Sequence, residues 1–502
     1  MTDANLYQFF RKHWDLNQEF LLDDDGKQFT YGDADFLSAT VAGTLTALGL
    51  KPGDRVSVQA DKSTDYLWLY FGCLRAGFVF HPLNPAYTHS ELTYFFENAE
   101  PSVLLYDSSR PAAADSAKAA GITNLFTMDV DGGGTFRELR AHNTPLTRIA
   151  NVQADDPAVL LYSSGTTGKP KGIPLSHRNI ATNATTLGQA WQFTQNDVLL
   201  HALPMFHAHG LFISLGCVLT TGSRMVYQSA FKPENVVDAL PNANVMMGVP
   251  TFYTRLLEHG GLNKENCNHM RLFVSGSAPL RKETFEEFEA STAHRIVERY
   301  GMSETIIQTT NPVDGERKAG TVGLPLPGVQ VRVVGDNNEP LAVNEIGDIQ
   351  SKSESTFLEY WRNPEKTIED FTEDGYLRTG DQGFLDSDGY LTIVGREKDL
   401  VISGGLNVYP AEVEQLINEC AGVLESAVIG VPHSDFGEAV VAVVVAKGNE
   451  TVSQEAVIAF AKQHLANFKV PKSVVVVEGL PRNTMGKVQK NVLREQYQSL
   501  LQ

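Results

Sequence analysis

The chain is 502 residues long, with 42% hydrophobic and 20% charged residues. That excludes a wholly disordered or fibrous protein and leaves room for about two to four folding units. Sixty acidic residues against 41 basic ones give a formal charge of −19, which argues against electrostatic wrapping of a nucleic acid, since that needs a basic face.

The opening MTDANLYQFFRKHWDLNQEF carries acids early and lacks the apolar core of a signal peptide. No stretch reaches the ~18 apolar residues that cross a bilayer, and the most apolar window, 67–80, is broken by Arg75. A cytoplasmic protein is expected. Cys73, Cys217, Cys267 and Cys420 are scattered without metal-ligand spacing, and they read as buried small hydrophobes in a reducing compartment.

Along the chain, short β-prone runs alternate with helical patterns. Phe78-Val79-Phe80 predicts a strand. Thr88 followed by Glu91 forms a capping box for a helix through Phe95 and Phe96, and Val103–Tyr106 predicts the next strand. Strand, helix, strand implies an α/β fold with a largely parallel sheet. Ala158–Leu161 is a further apolar strand. From about Ile346 the texture changes to Gly- and Asp-punctuated short strands. Charged residues interrupt the pattern at Gly395–Asp399, a natural boundary. Beyond it, a helix from Pro410 to Cys420, strands at 426–431 and 439–446, a helix around Gln454–His464 and a strand at 473–479 form a small α+β module.

The most specific segment is Tyr162-Ser163-Ser164-Gly165-Thr166-Thr167-Gly168-Lys169-Pro170-Lys171-Gly172, directly after a strand. Glycines there let backbone N–H groups face an anion, hydroxyls add donors and two lysines add charge. A P-loop would read G-x-x-x-x-G-K-[ST]. Here two residues separate Gly165 from Gly168, and Pro170 stands where Ser or Thr should be. An ordinary Walker loop is excluded; phosphate binding is what the residues alone support.

Four further motifs follow in order: Tyr300-Gly301-Met302-Ser303-Glu304-Thr305, Thr379-Gly380-Asp381, Gly395-Arg396-Glu397-Lys398-Asp399 and Pro481-Arg482-Asn483-Thr484-Met485-Gly486-Lys487. With the glycine-rich loop they resemble the acyl-adenylate-forming ligases, the superfamily of acyl-CoA synthetases, luciferases and peptide-synthetase adenylation domains. The resemblance implies a large N-terminal domain, 1–397, of αβ-layered subdomains plus a small β-barrel. It also implies a mobile C-terminal lid, 398–502, hinged near Lys398, that rotates after adenylation. The implied co-substrates are ATP and coenzyme A, with Mg²⁺ as the metal.

Residue by residue, the resemblance implies that Ser163 to Lys171 hold the β- and γ-phosphates and that Glu304, with Thr166, holds Mg²⁺. Tyr300, next to Gly301, Met302 and Ser303, and the pair Ser277 and Ala278 line the adenine site. Asp381 accepts from the ribose hydroxyls, and Arg396 reaches the ribose or α-phosphate. Lys487 bridges the incoming carboxylate and the α-phosphoryl oxygen, and Gly404 and Gly405 belong to the thiol-side loop. The tract ending in Lys487 also resembles one at which a lysine acetyltransferase silences such enzymes and a deacetylase restores them; acetylation would neutralise the charge.

The acyl pocket separates members of the superfamily. A dicarboxylate leaves a second charge inside, and an unpaired buried carboxylate is costly. Arg299, directly before Tyr300, is the first candidate partner, with His207 and Arg255 as further ones. The segments 201–210, 249–257, 275–280 and 480–494 resemble those of malonyl-CoA synthetases, so malonate, with methylmalonate beside it, is the implied acid. A ligase for another short or aryl acid is the alternative; a non-catalytic relative would be expected to lack Lys487, Glu304 or Asp381.

Overall fold

The computed structural model describes residues 4–163, 170–403, 406–433, 436–448, 450–483 and 486–501, without the side chain of Glu397. The chain divides into two compact units. The first comprises residues 1–319, 325–329 and 352–369, and the second residues 320–324, 330–351 and 370–502.

The first unit is built on two sheets. In one, the strands Val297–Tyr300, Leu272–Ser275, Val245–Gly248, Val198–His201, Arg224–Tyr227 and Glu19–Asp23 lie side by side in that order, all parallel. Antiparallel strands Thr309–Thr310 and Gln28–Thr30 flank them. The other runs Leu125–Thr127, Val103–Tyr106, Arg55–Gln59, Val79–Pro82, Pro157–Ser163, Lys171–Ser176, parallel except for the final hairpin. The parallel sheet expected from the strand–helix–strand pattern is therefore present. The helix between its first two predicted strands, His89–Ala99, starts at Thr88. The Glu91 carboxylate accepts there from the Thr88 amide at 2.8 Å and its hydroxyl at 2.7 Å, so the capping box forms as read. All four cysteines are buried and unbridged. Arg75, which breaks the apolar window, is buried in an ion pair with Asp35. No described helix is long and apolar enough to cross a membrane.

The second unit holds two sheets. Where the resemblance implies a small barrel, strands Gln330–Val334, Gly347–Lys352, Leu377–Leu385 and Leu391–Arg396 form a four-stranded sheet. The α+β module follows the predicted order: helix Pro410–Asn418, strands Val423–His433 and Gly437–Ala446, helix Gln454–His464 and strand Ser473–Val477. Its two long strands pair antiparallel over their whole length, and Ser473–Val477 joins them in parallel. Alternate valines serve two cores. Val440, Ala442 and Val444 face one, and Val441, Val443 and Val445 the other, which is why 439–446 reads as an unbroken apolar run. The predicted boundary at Lys398 falls inside this unit, in a short helical turn, Glu397–Asp399, between the two sheets.

Candidate active site

Parallel α/β sheets present their loops at the carboxyl ends of the strands, and the predicted residues of the first unit gather there. Arg299 and Tyr300 end strand Val297–Tyr300. Gly276, Ser277 and Ala278 follow strand Leu272–Ser275, and the His207 segment follows strand Val198–His201.

The phosphate-binding stretch begins and ends on paired strands, with Ser163 opposite Lys171. Ser164, Gly165, Thr166, Thr167, Gly168 and Lys169 lie outside the described residues. The Ser163 hydroxyl is buried without a partner among the described residues, a donor available to a ligand oxygen. On the other side, the Tyr94 hydroxyl donates to the Pro170 carbonyl at 2.6 Å, and the Lys171 ammonium lies 4.6 Å from the centroid of the Tyr360 ring.

Glu304 is turned inward by a tight reversal after Tyr300. A β-carbon on Gly301 would fall 1.7 Å from the Ile306 carbonyl oxygen, so that position takes glycine. The Thr305 amide donates to the Met302 carbonyl at 3.2 Å and the Gln308 amide to the Tyr300 carbonyl at 2.9 Å. Glu304 is 5% exposed, and one carboxylate oxygen accepts from the Tyr360 hydroxyl at 3.2 Å. Among the described residues no group of three or more His, Cys, Asp or Glu is placed to hold a metal. A single buried carboxylate suits Mg²⁺, which takes most of its octahedron from water and substrate phosphates.

The acyl side centres on Arg299, which is 4% exposed. Its guanidinium reaches the Ser277 hydroxyl at 3.4 Å, its Nε has no partner among the described residues, and Tyr253, not a carboxylate, is the ionisable group that acts on it. Burial pushes its pKa down to about 9, partly offset by the neighbouring Tyr253. Ser277 adopts φ +74, an uncommon conformation for a non-glycine residue, and its hydroxyl also stands 3.4 Å from the His209 Nδ1. His209 is buried, and its pKa is held well below the usual value by burial and then by the charge of Arg299.

His207 stands close enough to His209 to help hold its pKa down, after burial, Arg299 and His201. His207 lines a small cavity with Ser303, Phe206, Tyr162, Leu161, Asn84 and others. Among the described contacts none links Arg255 to Arg299, whose neighbours are Ser277 and Tyr253. Helix Pro250–His259 buries Tyr253 and Leu256 and leaves Arg255 exposed, because positions two apart lie on different helix faces. Tyr253, whose hydroxyl donates to the Val274 carbonyl at 2.6 Å, takes the place beside Arg299. His209 and Gly276 stand in segments that the sequence singled out, although neither was among its candidate residues.

In the second unit, Asp381 and Arg396 are cross-strand partners, with Arg396 Nε 3.0 Å from an Asp381 carboxylate oxygen. Gly380, at φ +70, turns the strand so that the Asp381 amide meets the Thr379 hydroxyl at 3.1 Å. Asp381 is buried and Arg396 partly exposed. Lys487 is exposed at the end of a turn closed by Asn483: the Lys487 amide donates to the Asn483 side chain at 3.0 Å and the Asn483 amide to the Lys487 carbonyl at 2.9 Å. Gly404 and Gly405 lie outside the described residues.

The AMP-binding enzyme family matches residues 11–361, and its C-terminal domain matches residues 412–487. ATP-bound MatB from Rhodopseudomonas palustris is 46% identical, with both chains covered in full and a TM-score of 0.97. The malonate–CoA ligase of Arabidopsis thaliana is 34% identical over 94% of this chain and 85% of that one. A sulfoacetate–CoA ligase from Cupriavidus necator is 32% identical over 97% and 96%. With its phosphate loop, Glu304 turn and C-terminal segment matched in order, this chain belongs to the AMP-binding enzyme family.

Proposed function

We propose that the protein is an ATP-dependent malonate–CoA ligase that also accepts methylmalonate. In the first half-reaction a carboxylate oxygen of the acid attacks the α-phosphorus of ATP, and pyrophosphate leaves. In the second the CoA thiol attacks the acyl carbon of malonyl-AMP, and AMP leaves with the electron pair of the broken C–O bond. Both steps concentrate negative charge, so cations and backbone dipoles carry the catalysis.

The observation that carries the choice of acid is Arg299. A buried guanidinium with no carboxylate partner among the described residues is an expensive thing to fold, and it is the complement a substrate's distal carboxylate needs, through charge-assisted and bidentate bonds. The malonate activity named for the Arabidopsis relative supports the same reading.

The remaining roles are proposed from the order of the motifs in the sequence. Ser163 and Lys171, with residues 164–169 between them, hold the triphosphate. Tyr300 to Ser303 and the Ser277–Ala278 turn border the adenosine. Asp381 accepts from the ribose hydroxyls while Arg396 holds its carboxylate in place, and Lys487 supplies the cation for the developing charge at the α-phosphate. Glu304, with Thr166, holds Mg²⁺, which when bound neutralises phosphate charge. Lys398 marks the joint between the portions 1–397 and 398–502, and Gly404–Gly405 serve the thiol half-reaction.

The test is AMP formation with ATP, Mg²⁺ and CoA across malonate, methylmalonate, sulfoacetate, succinate, acetate and butyrate. Malonate should give the highest kcat/KM. A preference for acetate or butyrate would overturn the proposal, and a preference for sulfoacetate would keep the role of Arg299 but change the acid.

A further inference from the structure

Between the phosphate-loop hairpin and the Glu304 turn runs a segment, 357–361, to which the sequence motifs gave no role. Its backbone is fastened to both. The Phe357 amide donates to the Glu304 carbonyl at 2.7 Å, and the Trp361 amide donates to the Gly172 carbonyl at 2.8 Å. The fit on the hairpin side is close enough that a β-carbon on Gly172 would stand 2.7 Å from the Trp361 Cβ. Tyr360 lies between these two anchors and is 3% exposed. Its hydroxyl is 3.2 Å from a Glu304 carboxylate oxygen, its ring face carries the Lys171 ammonium at 4.6 Å, and Phe357 packs edge-on against it with centroids 4.7 Å apart.

We propose that Tyr360 is a positioning residue that joins the cation-holding carboxylate to the phosphate-holding lysine. Its two ends do different work. A carboxylate has lone pairs to spare, so a hydroxyl on one oxygen fixes the direction of the group while leaving acceptor capacity for a cation. Such outer partners of a metal ligand typically change metal affinity by about 10–100-fold. The ring, by contrast, attracts an ammonium through its quadrupole and sets where the Lys171 charge stands whether or not a metal is present. Because the anchors on either side of Tyr360 belong to the two elements it serves, a shift of one is transmitted to the other. This inference rests on the proposed roles of Glu304 and Lys171.

The test is equilibrium ATP binding by calorimetry on the full chain, with Mg²⁺ and with EDTA, for the wild type, Tyr360→Phe, Tyr360→Leu and Glu304→Gln. Tyr360→Phe should weaken binding in Mg²⁺ by about tenfold and leave binding in EDTA unchanged. Tyr360→Leu, which also removes the ring, should weaken binding in both. If Tyr360→Phe weakens ATP binding equally in both conditions, or in neither, the positioning role is wrong. Glu304→Gln separates the two readings. If it abolishes the gain from Mg²⁺ while Tyr360→Phe does not, the Tyr360 inference fails alone; if it leaves the gain intact, the Glu304 assignment fails and takes the inference with it.

Discussion

Arg299 lies across Gly276: a β-carbon on that glycine would stand 2.4 Å from the arginine Nε and 2.5 Å from its Cζ. Neither contact can be made without moving the guanidinium, and Arg299 is buried, so it has little space to move into. Gly276→Ala is therefore a way to misplace the charge without deleting it. Overpacking of this kind costs about 1–3 kcal/mol. The expected outcome is a tenfold or greater fall in kcat/KM for malonate, read by pyrophosphate release, with a much smaller change for butyrate. An equal fall for both acids would mean that the glycine serves the nucleotide rather than the acid.

Arg299→Leu deletes the charge outright. Truncating one partner of a buried charge pair costs about 2–5 kcal/mol in binding, so kcat/KM for malonate should drop by two orders of magnitude or more while butyrate improves. The same variant should be no less thermostable than the wild type, because the free protein no longer carries a desolvated cation that no carboxylate among the described residues neutralises. Thermal unfolding in the absence of substrate checks this. A large loss of Tm would identify Arg299 as a fold-holding residue.

These two residues show what the sequence could and could not disclose. Arg299 was legible because it precedes Tyr300 in an ordered motif, and a buried position at a strand end follows from the strand itself. For Arg255 the sequence supported no more than candidacy, because helix phase decides which of Tyr253, Arg255 and Leu256 turns inward, and one position along a helix rotates the side chain by about 100°. Gly276 and Tyr360 were not legible, since their importance lies in contacts to residues far away in sequence: Gly276 to Arg299, and Tyr360 to both Glu304 and Lys171. In the α+β module the order of elements was legible and helix Gln454–His464 matched at both ends, while strand 426–431 fell short of the observed Val423–His433; the valine runs are local signals, but where a strand ends depends on its partner.

Lys487 sits in a turn fixed by its own backbone and Asn483, with its side chain exposed, so Lys487→Ala should fold normally. Its loss should affect the two half-reactions unequally. Adenylation develops charge on the α-phosphoryl group and should slow by 100-fold or more, about 3 kcal/mol. Thioester formation from pre-made malonyl-AMP should remain within a few-fold of wild type. The opposite split, with normal pyrophosphate release and a blocked thiol step, would assign the lysine to the second half-reaction.

Glu298, the residue before Arg299, gives the protein a pH dependence of its own. Burial pushes its carboxyl pKa up to about 8 from the usual 4.5, against which the Leu280 amide, donating at 3.1 Å, pulls it down only in part. Between those two values the folded protein keeps a proton that the unfolded chain releases, so the contribution of Glu298 to stability is full below about 4.5 and declines as the pH rises to about 8. Above that both states are ionised and the difference levels off. Glu298→Gln holds a neutral side chain of the same shape at every pH. Its Tm relative to wild type should therefore start near or slightly below zero difference at pH 5 and climb steadily to a clear advantage at pH 8.5. A constant offset across that range would mean that Glu298 is already ionised in the folded protein, with a cation near it that compensates.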